Sequence, residues 1–408
     1  MRPGGRAEAI KRIAVICERD RGYGRGVCLG IAAAAEREVG WMLEMLDCAD
    51  AVPQERLAGF DGVIARISNR RMAADLKKSK LPVVDVYCAS LCREFGAVDG
   101  DQPAIGRLAA EYFIDRRYVN FAYCGYDGIG YSDARRESFA GALAEKGFAC
   151  SAFHAPKGAV DEFGATVMRK EYVRLGSDAT ALTSWIKSLP AQTAVFCCHD
   201  VRAWQVLAVC RAEGIPVPER LAVLGVDNDE LVCSFTEPKL SSIDNSPFML
   251  GKAAVALLSR MLHSPAVRKS PPHLTVRPVG VCDRATVPIC VAGQSRASEI
   301  LDYVSRHVAD GVRAEDVAKH EGCSVKTVER EVKAATGRTL SAHILWTRLE
   351  TAKKLLLFSK APVAEVAALS GFSSPQYFCR FFKTKTGTTP VGFRDNAYTD
   401  NNETRIMQ

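Results

Sequence analysis

The stretch from residue 363 to residue 394, VAEVAALSGFSSPQYFCRFFKTKTGTTPVGFR, contains a complete local structural signature. An apolar helical pattern, VAEVAAL, is followed by a turn that holds Gly371 and by a second helical pattern that ends at Gly387. Glycine is common where a helix ends, because it adopts the left-handed backbone conformation without steric cost. The stretch therefore predicts two helices joined by a short glycine-bearing turn.

An earlier copy of this pattern lies about 50 residues before it. The segment EDVAKHEGCSV (315–325) aligns with AEVAALSGFSS (364–374), and SVKTVEREVKAATG (324–337) aligns with SPQYFCRFFKTKTG (374–387). The offset is 49 residues before the turn and 50 after it, so the second turn is one residue longer. Two copies of helix, turn and helix predict a DNA-binding module in which the second helix of each copy enters a major groove.

Hydrophobic periodicity separates two faces on each of these second helices. Val325, Val328 and Val332 recur at helical spacing in the first copy, as Phe378 and Phe382 do in the second, so these side chains are expected to pack inward. The opposite faces carry basic and amide side chains, which suit phosphates and base edges. A solvated charged face is the alternative for one helix, but the stripe recurs in both copies. The predicted DNA-binding residues are Lys326, Glu329, Arg330, Lys333, Ser374, Gln376, Arg380 and Lys383.

Between the two copies, AHILWTRLETAKKLLLF (342–358) has the pattern of one amphipathic helix. Such a helix is about 25 Å long at 1.5 Å per residue. Adjacent major-groove segments lie about 34 Å apart along the duplex. A rigid spacer of this kind would let one chain address two turns of DNA.

The chain before this module has a different sequence pattern, in which short apolar runs alternate with helical segments. The runs are RIAVIC (12–17), GVIAR (62–66), PVVDVY (82–87), NFAYCGY (120–126), TAVFCCHD (193–200) and LAVLGVDN (221–228). They are nearly continuous in apolar residues, as parallel strands buried on both faces are. Repeated strand–helix units predict parallel sheets. Because the span is too long for one compact sheet, we expect two α/β lobes.

Polar side chains follow several of these runs, at the strand ends where open α/β sheets bind ligands. Carboxylates, an amide and arginines supply paired acceptors and donors for a polyhydroxylated ligand. Tyr23, Tyr126, Tyr131 or Trp204 offers an aromatic surface to a sugar ring. Each residue alone has a structural alternative, because an Asp after a strand often only caps a helix. The predicted ligand-binding residues are Tyr23, Arg25, Asp101, Arg135, Asp200, Asp227 and Asn228.

Composition and missing motifs narrow the class of protein. The 54 Lys and Arg residues exceed the 47 Asp and Glu residues, and the net charge of +7 permits a nucleic-acid partner. We expect a cytoplasmic protein without a membrane partner and with reduced cysteines, because no signal sequence or bilayer-spanning run is visible. GYGRG lacks the third small residue of a dinucleotide-binding loop, since position 27 is Val, and other catalytic motifs do not occur. We therefore predict no enzyme activity, no cofactor and no metal site.

The quoted segments resemble two known families. VDGDQPAIG, SDARRESFAGAL, HDVRAWQVL, LGVDNDEL and the closing strand LTVRPVGVCDRAT resemble the effector-binding domain of the LacI/periplasmic sugar-binding superfamily. The last hundred residues resemble the AraC/XylS-type DNA-binding domain, although Cys323 and Val332 stand where that family usually has aromatic residues. The resemblance implies an α/β two-lobed periplasmic-binding-protein-like (LacI-type) domain followed by an all-α double helix-turn-helix domain.

The combination is similar to the xylose operon regulatory protein (XylR) family over nearly the whole chain. That resemblance implies a dimeric transcriptional activator that binds operator DNA, D-xylose and RNA polymerase, with ligand contacts from Arg25, Asp101, Arg135, Asp200, Asp227 and Asn228. The residues themselves leave open another sugar, or a sensor that binds a protein. A transport-linked solute-binding protein would instead need a signal peptide and no DNA-binding module. The expected domains are an effector-binding domain at 1–286, a linker at 287–298, a DNA-binding domain at 299–397 and a disordered tail at 398–408.

Overall fold

The computed structural model describes residues 10–38, 40–47, 51–87, 94–154, 179–288, 296–336, 339–359 and 361–399. The chain divides into two compact units. The first unit, called the sensor below, comprises residues 1–112 and 119–287, and the second, called the reader, comprises residues 113–118 and 288–408. Most of the expected linker (289–295), Gly337 of the repeat and the tail from residue 400 onward lie outside the described residues.

The first lobe of the sensor is built on a six-stranded parallel sheet, called sheet A. Its strands are β1 (Lys11–Ile16), β2 (Trp41–Met45), β3 (Gly62–Ala65), β4 (Val83–Asp85), β5 (Gly96–Gly100) and β11 (His273–Val276), in the order β11-β5-β4-β3-β1-β2. All residues of β3 and β4 are buried, because helices cover both faces of the sheet. Its helices include α1 (Gly22–Ala35), α2 (Gln54–Leu57) and α3 (Arg70–Ser79).

The second lobe contains the other six-stranded sheet, called sheet B. Its strands are β6 (Asn120–Cys124), β7 (Cys150–Phe153), β8 (Thr193–Cys197), β9 (Leu221–Val226), β10 (Ser241–Asp244) and β12 (Gly280–Cys282), in the order β12-β10-β9-β8-β6-β7. Only β12 runs antiparallel to its neighbour. The helices that follow these strands are α5 (Gly130–Ala144), α6 (Ala179–Ser188), α7 (Asp200–Ala212) and α8 (Glu230–Phe235), and α4 (Gln102–Asp115) connects β5 to β6.

The chain passes between the lobes three times, after β5, after β10 and between β11 and β12. The crossing strands are tied to each other, since the Asp101 amide donates to the Val276 carbonyl (2.8 Å) and the Val279 amide donates to the Asp244 carbonyl (2.9 Å). After the second crossing, helix α9 (Pro247–His263) returns to the first lobe and packs tightly on α1. A Cβ on Gly30 would lie 1.9 Å from the Phe248 carbonyl oxygen, so this helix contact requires glycine.

A short helix, α10 (Pro265–Lys269), replaces part of the loop that the Pro-rich segment 264–273 suggests. The Ser264 hydroxyl accepts from the Val267 amide, and Pro265 occupies the first helical position, where its missing N–H costs nothing. The local capping chemistry of Ser-Pro therefore starts a helical turn in a segment that otherwise reads as a loop.

The reader is helical throughout its described part. Its helices are α11 (Arg296–His307), α12 (Ala314–His320), α13 (Val325–Thr336), α14 (Leu340–Phe358), α15 (Val363–Leu369), α16 (Pro375–Thr386) and α17 (Pro390–Thr399). Helices α12 and α13 form the first predicted copy, and α15 and α16 form the second. Val328, Val332, Phe378 and Phe382 are fully buried, as their periodicity predicts. The fold class expected from the sequence, a two-lobed α/β domain followed by a double helix-turn-helix domain, is confirmed.

Two small cores stabilise the reader, and α14 contributes to both. Leu340 and Ile344 pack in the first core, while Leu349, Ala352 and Leu356 pack in the second. The turn of the second copy also contacts the first half directly. Gly371 has a φ of +79°, and a Cβ there would lie 2.0 Å from the Val308 carbonyl oxygen. Arg348 of α14 reinforces this junction, because its guanidinium donates to the Val312 carbonyl (2.8 Å).

Candidate functional site

A cleft lies between the two lobes of the sensor, at the carboxyl ends of strands from both sheets. It encloses about 640 Å³ of space, part of it open to solvent. The lining side chains follow β1, β3, β4 and β5 of sheet A, and β6, β8, β9 and β10 of sheet B. The lining residues are Glu18, Arg21, Gly22, Tyr23, Arg66, Tyr87, Asp99, Gln102, Tyr131, Arg135, His199, Asp200, Val201, Asp227, Asp229 and Asn245.

The first lobe contributes a buried ion pair and an aromatic wall to the cleft. The Arg66 Nε lies 3.1 Å from a Glu18 carboxylate oxygen, and the Arg66 guanidinium lies 4.0 Å from the centre of the Tyr87 ring. The Tyr23 hydroxyl donates to the Val86 carbonyl at 2.6 Å. These contacts hold the side chains in one orientation before any ligand contact is made, which is the preorganisation that a binding site needs.

Arg135 of α5 is the central cation of the second lobe. Its side chain is 4% exposed, its Nε donates to Gln102 Oε1 (2.8 Å), and its guanidinium also donates to the Cys198 carbonyl. Gln102 in turn donates from Nε2 to Asp99 Oδ1 (2.9 Å). Burial raises the pKa of Asp99 to about 6, and the hydrogen bond from Gln102 opposes this rise. The chain from Arg135 to Asp99 joins an arginine of one lobe to a carboxylate of the other.

Two carboxylates of the second lobe form the floor of the cleft. Asp200 is 1% exposed and accepts from the Ser242 hydroxyl (2.5 Å) and the Asp229 amide (2.7 Å). Burial, and then the neighbouring Asp227, raise the pKa of Asp200 well above its ordinary value. Asp227 has a φ of +105° and accepts from Asn245 Nδ2 at 2.7 Å. Burial raises its pKa to about 6, while the charge of Arg135 lowers it.

Four buried polar atoms of the cleft-lining residues have no hydrogen-bond partner among the described residues. Glu18 Oε1 and Arg66 Nε form the ion pair described above, which leaves His199 Nε2 and Asn245 Oδ1 without a polar partner. His199 Nδ1 accepts from the Arg202 amide (3.0 Å). Burial, and then the charges of Arg21, Arg135 and Arg202, lower the pKa of His199 well below its ordinary value. The imidazole is therefore neutral with its proton on Nε2, so the pair offers one donor and one acceptor to a ligand.

Asp229 joins the two lobes directly at the edge of the cleft. Its carboxylate, on the second lobe, accepts from the Gly22 amide at the start of α1 (2.6 Å) and from the Arg25 guanidinium (2.9 Å). The residue before α1, Arg21, makes no side-chain cap of its own, so the other lobe supplies the cap. A Cβ on Gly22 would lie 2.6 Å from the Asp229 Cγ, so this contact needs glycine at position 22.

The predicted ligand-binding residues fall into two groups. Tyr23, Arg135, Asp200 and Asp227 line the cleft. The side chains of the other three are engaged by neighbours: Arg25 pairs with Asp229, Asp101 accepts from the Ala104 amide at the start of α4, and Asn228 accepts from Arg284. Of the four aromatic residues considered, Tyr23 and Tyr131 line the cleft, whereas Tyr126 and Trp204 do not.

Several residues that line the cleft were not among the predicted ligand-binding residues. Some of them follow an apolar run, the same signal that identified the predicted ones. Arg66 and Tyr87 directly follow β3 and β4, and His199 follows β8, so their positions after apolar runs were a usable signal. Asn245 follows β10, whose sequence SSID has too little apolar character to indicate a strand. Gln102 lies in the first turn of α4 and carried no signal of its own.

The reader presents the predicted basic stripes on α13 and α16. The side chains of Lys326, Arg330, Lys333, Gln376, Arg380 and Lys383 are exposed. Ser374 is the N-cap of α16, where its hydroxyl accepts from the Tyr377 amide at 3.3 Å. Glu329 differs from the others, because its carboxylate is engaged by the first residues of α14.

Two kinds of feature are absent from the described residues. No helix there combines the length and apolar character needed to cross a bilayer. Across the same residues, histidine, cysteine and acidic side chains do not gather in groups of three or more that could hold a metal ion.

Comparison with known proteins gives matches for both units. Residues 110–287 match the model of a periplasmic binding protein-like domain, and residues 317–396 match that of a helix-turn-helix domain. The xylose operon regulatory protein of Escherichia coli (strain K12) is 27% identical over 342 residues, which cover 82% of this chain and 84% of that protein. The protein of the same name from Haemophilus influenzae is 23% identical over 402 residues, covering 96% of this chain and 100% of the relative.

Among solved structures, that of the xylose-binding transcription activator xylR is similar over 95% of this chain and 99% of its own, with 25% identity and a TM-score of 0.57. The similarity thus extends through both units and preserves their order along the chain. The chain thus combines a periplasmic-binding-protein-like (LacI-type) domain with a C-terminal AraC-type helix-turn-helix domain, the make-up of a sugar-sensing transcription regulator rather than an enzyme, and it is similar to the xylose operon regulatory proteins over nearly its whole length.

Proposed function

We propose that the cleft binds a neutral monosaccharide, D-xylose, and that this binding controls transcription from an operator bound by the reader. The observation that carries the proposal is the pair of buried unpaired atoms, His199 Nε2 and Asn245 Oδ1. Leaving such groups without partners costs about 1–3 kcal/mol each. A polyhydroxylated ligand can accept from the imidazole and donate to the amide, and so satisfies both.

The charge of the cleft favours a neutral ligand over an anionic one. Five carboxylates line it, Glu18, Asp99, Asp200, Asp227 and Asp229, against three arginines, Arg21, Arg66 and Arg135. Sugar hydroxyls donate to carboxylates and accept from guanidinium groups. A sugar phosphate or sugar acid would instead bring a negative charge into an enclosed site where burial already raises the pKa of Asp99, Asp200 and Asp227, that is, where negative charge is already disfavoured. The names of the E. coli relative and of the xylR structure support xylose among the neutral sugars.

The reader would bind operator DNA through the stripes on α13 and α16, and the protein would act as a homodimer that activates transcription through RNA polymerase in the cytoplasm. Each reader carries two reading helices, so the sugar does not have to create base contacts. It is sufficient that lobe closure aligns the two readers of a dimer on one DNA segment, which raises their effective concentration. The domains of this proposal are an effector-binding domain at 1–286, a linker at 287–298 and a DNA-binding domain at 299–397.

Titration calorimetry of the full chain tests the sensor. D-xylose should bind, D-ribose and D-glucose should bind more weakly, and D-xylonate should not bind, because it carries a carboxylate. Tight binding of D-ribose or D-glucose instead of D-xylose would correct the sugar but keep the site. Absence of binding to every neutral monosaccharide would contradict the proposal and favour a sensor that binds a protein.

The coupling between the units has its own test. If the sugar promotes operator binding, operator DNA must tighten sugar binding by the same factor, about 5–150-fold for a typical coupling. Sugar affinity is therefore measured with and without a duplex that the protein selects from a random-sequence library. Equal affinities would show that the sugar acts after DNA binding, for example at the contact with polymerase.

A further inference from the structure

Glu329 lies on reading helix α13, directly beside Arg330 of the basic stripe, but its carboxylate is turned towards α14. Its Oε2 accepts from the Leu340 amide (2.8 Å), and its Oε1 accepts from the Ser341 amide (3.2 Å) and the Ser341 hydroxyl (2.7 Å). Both carboxylate oxygens are thus engaged by the neighbouring helix.

These contacts complete the N-terminus of α14. The first amides of a helix have no partner within the helix. In α14, the N-cap Thr339 accepts from the Ala342 amide (3.2 Å) through its side chain, which leaves the amides of Leu340 and Ser341 for another acceptor. Glu329 accepts from both, and its negative charge also lies at the positive end of the helix dipole.

The second copy of the repeat shows why the first copy needs this carboxylate. At the 50-residue offset, Thr389 corresponds to Thr339 and likewise accepts from the amide of the third residue of its helix, Gly392 (3.0 Å). Pro390 corresponds to Leu340 and has no N–H to satisfy. Cys379 corresponds to Glu329. The first copy thus has an amide at Leu340 and a carboxylate, Glu329, that accepts from it. The second copy has no amide at Pro390, and a cysteine, Cys379, stands in place of the carboxylate.

We propose that Glu329 is a positioning residue that fixes the first reading helix against α14, and that it does not contact DNA. This inference rests on the DNA-binding function proposed above. Because Glu329 precedes Arg330 on the same helix, a fixed Glu329 also fixes the direction in which the basic stripe points. The same contacts hold a negative charge against a helix N-terminus instead of leaving it free beside the phosphates of the duplex. Helix α16 has no equivalent tie and depends on its aromatic core.

The test uses the full-length protein and the duplexes that the wild type enriches from a random-sequence library. Four variants are compared: Glu329→Ala, Glu329→Gln, Ser341→Ala, which removes one of the donors, and Cys379→Ala as the matched control in the second copy. Two measurements are made on each, the enriched sequence with its affinity, and the hydrogen exchange of the amides at 340 and 341.

Glu329→Ala should weaken binding about 5–10-fold, the effect expected from the loss of a helix cap. The loss should appear only on duplexes that contain the half-site of the first copy, with the base preference unchanged. The amides of Leu340 and Ser341 should exchange faster in the same variant. Ser341→Ala should show a smaller change in the same direction, and Cys379→Ala should match the wild type in both measurements.

A base-reading role gives the opposite result. If Glu329→Ala relaxes the preference at one base pair while the two amides stay protected, Glu329 contacts DNA and the inference is overturned, although the DNA-binding function stands. If the wild type enriches no sequence, the proposed function fails, and with it the inference. Glu329→Gln keeps one acceptor and the size of the side chain, so an intermediate loss of affinity in this variant supports the positioning role without a folding defect.

Discussion

The effector cleft and the reading helices both contain functional charged side chains, but those of the cleft are buried and those of the reading helices are exposed. Arg135 and Asp200 of the cleft are 4% and 1% exposed, and each is held by several hydrogen bonds. The basic side chains of α13 and α16 are exposed above an apolar core. A buried charge interacts strongly and depends on every partner, whereas an exposed charge interacts weakly and independently. Single substitutions should therefore be severe in the cleft and graded in the reader.

The largest effect is expected from Arg135→Ala. The change leaves Gln102 and the Cys198 carbonyl without their cation and removes the positive charge that faces Asp99 and Asp227. Loss of one member of such a buried network costs several kcal/mol, so sugar affinity in calorimetry should fall at least about 100-fold. The neighbouring Arg136→Ala is the control, because Arg136 pairs with Asp127 and Asp133 and does not line the cleft. Wild-type affinity in Arg135→Ala would mean that the sugar binds elsewhere.

Gly22→Ala should weaken sugar binding by about tenfold, a loss of about 1.4 kcal/mol. The added methyl group would meet the Asp229 Cγ at 2.6 Å, so the second lobe cannot approach α1 as closely. Gly141→Ala is the control, since a Cβ at that position meets nothing within 4 Å. Calorimetry measures the affinity, and solution scattering measures how closely the lobes approach in the presence of sugar. An unchanged radius of gyration and affinity would show that the bound form does not use the contact between Asp229 and α1.

Substitutions in the reader test whether exposed charges contribute weakly and independently of one another. Arg380→Ala should weaken binding to the selected duplex by about tenfold, within the 1–3 kcal/mol typical of a base contact, and should relax one base position. Arg330→Ala should do the same at another position, and the effects should add because the two helices lie on separate cores. Lys385→Ala is the control, because Lys385 is exposed on α16, the helix of Arg380, but lies outside the basic stripe. Equal losses on specific and random DNA would show that these arginines contact only phosphates.

The smallest effect concerns pH. Burial raises the pKa of Asp99 from its ordinary value of 3.8 to about 6. Between these values the folded protein binds more protons than the unfolded chain, so the stability contributed by the protonated group is present at low pH and is lost as pH rises to 6. The side chain of Asp99→Asn cannot ionise, so this variant should lose less unfolding free energy between pH 4 and pH 7 than the wild type does. Thermal midpoints at several pH values measure this, and parallel profiles would contradict it.

The same contrast between buried and exposed charge explains what the sequence could and could not predict. The basic stripe on α16 is visible because helical periodicity and the repeat place Gln376, Arg380 and Lys383 on one face. The strands at 12–17, 62–66 and 221–228 are visible because both their faces are apolar. Strand β10 (SSID) is less visible because it is largely polar, and strand β2 (WMLEM), at the edge of its sheet, is short and interrupted by Glu44.

The cleft was predictable only in outline. Strand ends indicate where a site forms, and Tyr23, Arg135, Asp200 and Asp227 were found in this way. The direction of each side chain depends on partners that are distant along the chain. Asn228 turns to Arg284, 56 residues away, and Arg25 turns to Asp229, 204 residues away. Local patterns contain no information about such pairs, so Arg25 and Asn228 could not be separated from the residues that line the cleft. Asp101 differs, because its partner is the Ala104 amide three residues on, and it caps a helix as an Asp after a strand often does.

The order of strands in sheet A has a consequence for synthesis on the ribosome. Strand β11, near the end of the sensor, is the neighbour that covers β5, so β5 remains an unpaired edge until residue 276 has been made. At about 5–20 residues per second, the intervening stretch takes roughly 9–35 s to translate. Throughout that interval the nascent first lobe exposes a strand edge that can pair with other chains. The lobe that is translated first is therefore among the last parts of the sensor to be completed.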